Sequence, residues 1–209
     1  MSNNKLKILC LHGLRHNSEL LKKSMERIIK KLVKFDIEFY FYDSPIKYTN
    51  DNDTDNDYRQ WWTATKENVY ILEKFDTIEL SITNLKNKWD SDKYDGLLGF
   101  SQGGEIAQIF AYQIQNKIIK TYEPKFLILV SSIPITDINY NKYYQYQLNY
   151  KTLIISGSKD TLVSMDKTLS LVKYFKEPSI IIHRGGHYFS TTSETYYRLK
   201  KFLQEFKLD

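Results

Sequence analysis

Tyr94-Asp95-Gly96-Leu97-Leu98-Gly99-Phe100-Ser101-Gln102-Gly103 passes from an apolar run straight into a stretch of helical period, Ile106 to Ile114. Its centre, Gly99-Phe100-Ser101-Gln102-Gly103, is the pattern G-x-S-x-G at a strand-to-helix junction. A serine that attacks a substrate has to stand clear of the sheet on a tight turn. Neighbouring chain then passes so close that glycine is required two positions before it and two after. The pattern predicts an exposed nucleophile, Ser101. The following helix directs its N-terminal dipole and free N–H groups at negative charge developing on a carbonyl oxygen.

Outward from this junction, short β-branched or aromatic runs alternate with longer stretches of helical period. The strand candidates are Lys7 to Leu11, Ile37 to Tyr42, Tyr94 to Gly99, Phe126 to Ser132, Thr152 to Ser156 and Ser179 to His183. Between the first two, Asn17 or Ser18 can cap a helix reaching about Lys34, with Leu20, Leu21, Ser24, Met25, Ile28 and Leu32 on one face. Further helices are marked by Ile78 to Trp89, Ile106 to Ile114, Val163 to Tyr174 and Tyr196 to Phe206. Alternation of this kind implies an α/β class: a mostly parallel central sheet of about six strands with helices on both faces. The 209 residues suit one domain, 1–209. Two segments break the rhythm. Residues 50–57 alternate Asn, Asp and Thr like the opening of a calcium loop. Asn56 and Trp62 stand where an EF-hand from Asp51 needs glycine and glutamate, so a solvated acidic loop is expected. The other segment, Ile133 to Tyr150, carries five tyrosines between two strands and is a candidate lid or cap.

A hydroxyl attacks only when a neighbouring base takes its proton, so an acid and a histidine are sought at later strand ends. Asp160 follows the Thr152 to Ser156 strand in Gly157-Ser158-Lys159-Asp160, and His187 follows Ser179 to His183 in Arg184-Gly185-Gly186-His187. The order Ser, Asp, His and the positions past carboxyl ends of parallel strands agree with a shared site. Asp166 competes with Asp160, but falls inside the expected helix. After the first strand, His12-Gly13-Leu14 would aim the N–H of Leu14 at an oxyanion opposite the N–H of Gln102. His12 reads as a structural loop residue, and His16 and His183 as ordinary surface residues.

Composition narrows the remaining classes. Thirty Lys and Arg against 25 Asp and Glu give a net charge of +5, dispersed along the chain rather than clustered as phosphate binding requires, so no nucleic-acid partner is expected. The longest apolar run, Phe126 to Val130, is far short of the roughly 20 residues that cross a bilayer. The N-terminus offers too few apolar residues for a signal peptide, and the single cysteine, Cys10, reads as buried filler; both point to a cytoplasmic protein. No cofactor and no metal are called for by the Ser, His, Asp chemistry.

On these residues the chain resembles the FSH-type serine hydrolases of the α/β-hydrolase superfamily, over most of its length. The likeness runs from Lys7-Ile8-Leu9-Cys10-Leu11-His12-Gly13 to Gly185-Gly186-His187, and Tyr94 to Gly103 is similar to that family's nucleophile segment nearly residue for residue. Tyr42-Asp43-Ser44-Pro45 resembles its Asp-x-Pro turn, and Arg59-Gln60-Trp61-Trp62 an aromatic segment near its pocket. The resemblance implies an α/β-hydrolase fold, Ser101 as nucleophile, Asp160 as acid and His187 as base, with Asp43, Trp61 and Trp62 at the substrate pocket. It implies hydrolysis of carboxylic esters with aliphatic acyl chains. The small-molecule partner is then an ester or thioester. Gly104 and Glu105 depart from the small apolar residues commoner there, and a carboxylate near Ser101 bears on which substrate charge is accepted. A peptidase, a lipase or a binding protein that has lost turnover are the rival readings; the sequence, with a mean hydropathy of −0.49, makes no case for the extended-chain recognition a peptidase needs or the apolar interfacial surface a lipase needs.

Overall fold

The computed structural model describes residues 5–49, 57–63, 75–135 and 144–207. The expected acidic loop therefore lies outside the described residues except for Asp57, and the 133–150 segment is described only at its two ends.

Six parallel strands form the sheet: β1 (Leu6–Leu11), β2 (Ile37–Tyr42), β5 (Gly96–Phe100), β6 (Phe126–Val130), β7 (Lys151–Gly157) and β8 (Ser179–His183), in the order β2-β1-β5-β6-β7-β8. Two short strands, β3 (Ile46–Lys47) and β4 (Arg59–Gln60), pair antiparallel apart from it. Neither is marked by periodicity, because two residues carry none. The helices are α1 (Ser18–Leu32), α2 (Phe75–Asp92), α3 (Gln102–Gln115), α4 (Met165–Leu169) and α5 (Ser193–Gln204).

Alternation along each strand divides the core in two. Ile8, Cys10, Leu98, Ile128, Val130 and Ile155 face α1 and α5, which contribute Leu21, Met25, Ile28 and Leu32 and then Tyr196, Leu199, Phe202 and Leu203. Leu9, Leu11, Leu97, Leu127, Leu129 and Ile154 face the other way, onto Ile78, Ile82, Leu85 and Trp89 of α2 and Ile106, Ile109 and Phe110 of α3. Strands covered on both faces must be apolar at both parities, which is why they read as continuous apolar runs rather than alternating ones. Cys10 is fully buried, and burial raises its thiol pKa.

Asn17 starts α1 by accepting the Leu20 N–H at 2.9 Å, and a single 3₁₀ turn with Asp36 at φ 54° ends it. Ser24, read with the buried face of α1, is exposed; its hydroxyl donates to the Leu21 carbonyl at 2.7 Å. The single helix expected from Val163 to Tyr174 is instead α4 followed by a 3₁₀ turn, Ser170–Tyr174. At that break the Ser170 hydroxyl donates to the Lys167 carbonyl, a local bond of the kind that competes with the helical ladder. Among the described residues no helix is long and apolar enough to cross a membrane.

Candidate active site

The sheet order sets where the site forms. β1 pairs with β2 on one side and β5 on the other, so the loops leaving β1 and β5 part at the carboxyl edge, where open α/β sheets form a crevice. Ser101 follows β5 there, with φ 51° and ψ −122°. A side chain held at positive φ costs on the order of 1–3 kcal/mol. The conformation is enforced by close packing: a Cβ on Gly99 would lie 2.3 Å from the Gly104 Cα, and one on Gly103 would lie 2.3 Å from the Leu11 carbonyl oxygen. Ser101 N–H donates to the Val130 carbonyl at 2.8 Å, and the Ser101 carbonyl accepts the Gly104 N–H at 2.8 Å. The backbone is thus fixed on both sides, leaving the side chain to face outward.

Beside the elbow lies the loop after β1. His12 is fully buried; its Nδ1 donates to the Gly13 carbonyl at 2.8 Å and its Nε2 accepts the Ser44 N–H at 3.1 Å. Burial lowers the His12 pKa to about 4, so the ring is neutral and structural, in keeping with its sequence reading. Trp61 locks this loop to the elbow: its indole N–H donates to the His12 carbonyl and its backbone N–H to Gln102 Oε1, both at 2.8 Å. Leu14 and Gln102 reach the same cavity, and neither backbone N–H donates to another group among the described residues.

Asp160 and His187 meet at the far side of the crevice. His187 Nδ1–H donates to Asp160 Oδ2 at 2.8 Å, while Oδ1 accepts the N–H groups of Leu162 at 3.0 Å and Val163 at 2.8 Å. The carboxylate is buried with three donors and the ring is held in one tautomer and one orientation. Two turns are pinned together to achieve this: Ser158 N–H donates to the His183 carbonyl and Lys159 N–H to the Gly185 carbonyl. Asp166 is exposed on the first turn of α4 and stands apart from the pair.

A cavity of about 380 Å³ opens over Ser101 and His187, walled by Leu14, Trp62, Phe100, Leu162 and Val163. The Phe100 and His187 rings lie 4.9 Å apart. Of the pocket residues implied by resemblance, Trp62 lines the cavity. Trp61 does not; it is a core residue whose hydrogen bonds brace the loop after β1. Asp43 also lies off the cavity, its carboxylate accepting the Ser18 N–H at 2.7 Å and the Ser18 hydroxyl at 2.8 Å at the start of α1. Two histidines expected at the surface are not there. His183 is buried with Nδ1 accepting the Gly185 N–H, and His16 lines the cavity with Nδ1 buried and unpartnered. The signal for His16 was its place just past the β1 turn, in the loop that borders the elbow. Glu105 also lines the cavity, and burial raises its carboxyl pKa well above the ordinary range.

A six-stranded parallel sheet with a glycine-flanked serine after a central strand defines an α/β-hydrolase. Among solved structures, Arabidopsis thaliana SOBER1 superposes with a TM-score of 0.70 at 15% identity, covering 98% of this chain and all of that one. Zea mays acyl-protein thioesterase 2 gives 0.69 at 16%, covering 96% and 93%. Residues 1–197 match the family described as serine hydrolase (FSH1), and the chain belongs to that family. Its relatives include Esterase OVCA2 of Danio rerio, 25% identical over 99% of this chain and all of the relative. Esterase AGAP003155 of Anopheles gambiae is 27% identical over 92% of this chain and 76% of the relative. The protein is a serine hydrolase of the carboxylic-ester class.

Proposed function

We propose that Ser101, His187 and Asp160 hydrolyse small or aliphatic carboxylic esters, oxygen or thio, through an acyl-enzyme. The observation that carries this reading is the His187–Asp160 hydrogen bond at the rim of a cavity whose floor is the strained, glycine-flanked Ser101. His187 Nε2 takes the Ser101 proton as Oγ attacks the ester carbonyl carbon. The oxyanion is stabilised by the N–H groups of Leu14 and Gln102. Collapse of the tetrahedral intermediate expels the alcohol or thiol, which receives the proton from His187. Water then adds to the acyl-enzyme with the same histidine as base, and the carboxylic acid and free Ser101 are released. Each bond broken is matched without a cofactor. The apolar walls and a volume of about 380 Å³ suit a short to medium acyl chain. The lone, buried Cys10 suits a reducing compartment such as the cytoplasm.

A fluorophosphonate probe tests the assignment. Labelling is expected on Ser101, with loss of both labelling and p-nitrophenyl butyrate hydrolysis in Ser101→Ala. Equal labelling of that variant would show that another residue is the nucleophile.

A further inference from the structure

Glu105 sits in the first turn of α3, four residues past Ser101, and its backbone N–H donates to the Ser101 carbonyl at 3.3 Å. The residue is only 5% exposed, yet it lines the cavity. Among the described residues its carboxyl makes no hydrogen bond and no ion pair, including with Arg15 and His16 of the same cavity. Its helix neighbour one turn on behaves otherwise. Gln108 Nε2 donates to the carbonyls of Gly104 and Ile133 at 3.0 and 3.1 Å, and its Oε1 accepts from the Tyr144 hydroxyl at 3.2 Å. The Gln108 amide is thus partnered at both its nitrogen and its oxygen, whereas Glu105 lines the substrate space with no partner for its carboxyl. The Trp62 indole N–H, a donor only, is likewise buried and unpartnered in the wall of the same cavity.

We propose that Glu105 is a specificity-determining residue that hydrogen-bonds an uncharged oxygen, hydroxyl, ether or keto, carried by the substrate outside the scissile ester group. The inference rests on Ser101 being the nucleophile. With no cation against it, burial raises the pKa of this carboxyl and favours its neutral form, which offers one O–H donor and one carbonyl acceptor. An all-carbon substrate would cover it and leave it unsatisfied, and a site built to hydrogen-bond its substrate discriminates against analogues that lack the partner. The chain therefore departs from an aliphatic-ester site at the one position where its cavity wall carries a carboxyl.

Two matched ester series test this on the intact protein. The acyl series compares p-nitrophenyl butyrate with the methoxyacetate and the 3-hydroxybutyrate. The alcohol series compares ethyl with 2-hydroxyethyl and choline butyrate, followed by acid release. Rates are expressed as kcat/KM relative to hydroxide-catalysed hydrolysis. The expected result is a preference of about tenfold or more for an uncharged oxygen-bearing ester in one series. Glu105→Leu should remove most of that preference and Glu105→Gln retain part of it. The wild-type preference is read without any variant, so poor folding of Glu105→Leu leaves the test intact. Labelling of Ser101 by a fluorophosphonate with no preference in either series overturns the inference. So does a preference for the choline ester, which would mean an ionised carboxylate. Failure of Ser101 to label overturns instead the nucleophile assignment beneath it.

Discussion

Asp160 has two separate tasks at one carboxylate: Oδ2 orients His187 and Oδ1 holds the turn through the Leu162 and Val163 N–H groups. Asp160→Asn can keep the turn with its amide oxygen, but then presents an NH₂ to Nδ1 and stabilises the wrong tautomer. On the proposed mechanism kcat for p-nitrophenyl butyrate falls by about 10⁴-fold, with the far-ultraviolet dichroism unchanged. At this scale the sequence places Ser101, Asp160 and His187 at strand ends, and their roles as nucleophile, acid and base belong to the proposed mechanism. It did not distinguish Trp61 from Trp62. Adjacent residues in irregular chain diverge by torsion angles that no periodicity encodes, and here both tryptophans are buried in the core while Trp62 alone of the two also lines the cavity. Asp43 is a similar case, since its use by Ser18 depends on where the start of α1 lies relative to β2.

Between elements, the geometry of the site depends on two turns that leave neighbouring strands together. In the β7–β8 register Gly157 lies opposite His183, and a Cβ on Gly157 would approach the carbonyl oxygens of Gly185 and Gly186 to 2.5 Å. Gly157→Ala must push the turn carrying His187 outward. A displacement of about 1 Å at a catalytic group costs on the order of 100-fold in rate, so kcat should drop by about that factor while the melting temperature changes by only a few degrees. Stopped assays and a thermal scan of the same preparation separate the two effects. The six strands and their alternation with helices were legible because burial on both faces demands apolar runs of a characteristic length. The β3–β4 pair and the break between α4 and its 3₁₀ turn were not, since two-residue strands and side-chain bonds within a turn leave no periodic trace.

Across the whole molecule, stability and pH are linked through the histidine behind the site. His12 has its pKa lowered from 6.5 to about 4, so the unfolded chain takes up a proton at higher pH than the folded one. The stability it contributes is present above pH 6.5 and lost as pH falls toward 4. Raised carboxyl values such as that of Glu105 act in the opposite sense, so the His12 part is isolated by difference. Urea unfolding at pH 7 and pH 5 should show wild type losing about 2 kcal/mol more than His12→Gln over that interval; equal losses would mean the ring is protonated in the folded state. The amino-acid sequence by itself determined the fold class, the strand-end positions of the serine, acid and histidine, and the glycines around Ser101. Those features follow from local sterics and from which residues water expels. Only the tertiary structure decided which loops share the crevice, that the Asp160 carboxylate meets His187, and that Glu105 faces the cavity unpartnered. Contacts of that kind join residues far apart in the chain, and their distances are fixed by strand order and packing rather than by spacing along it.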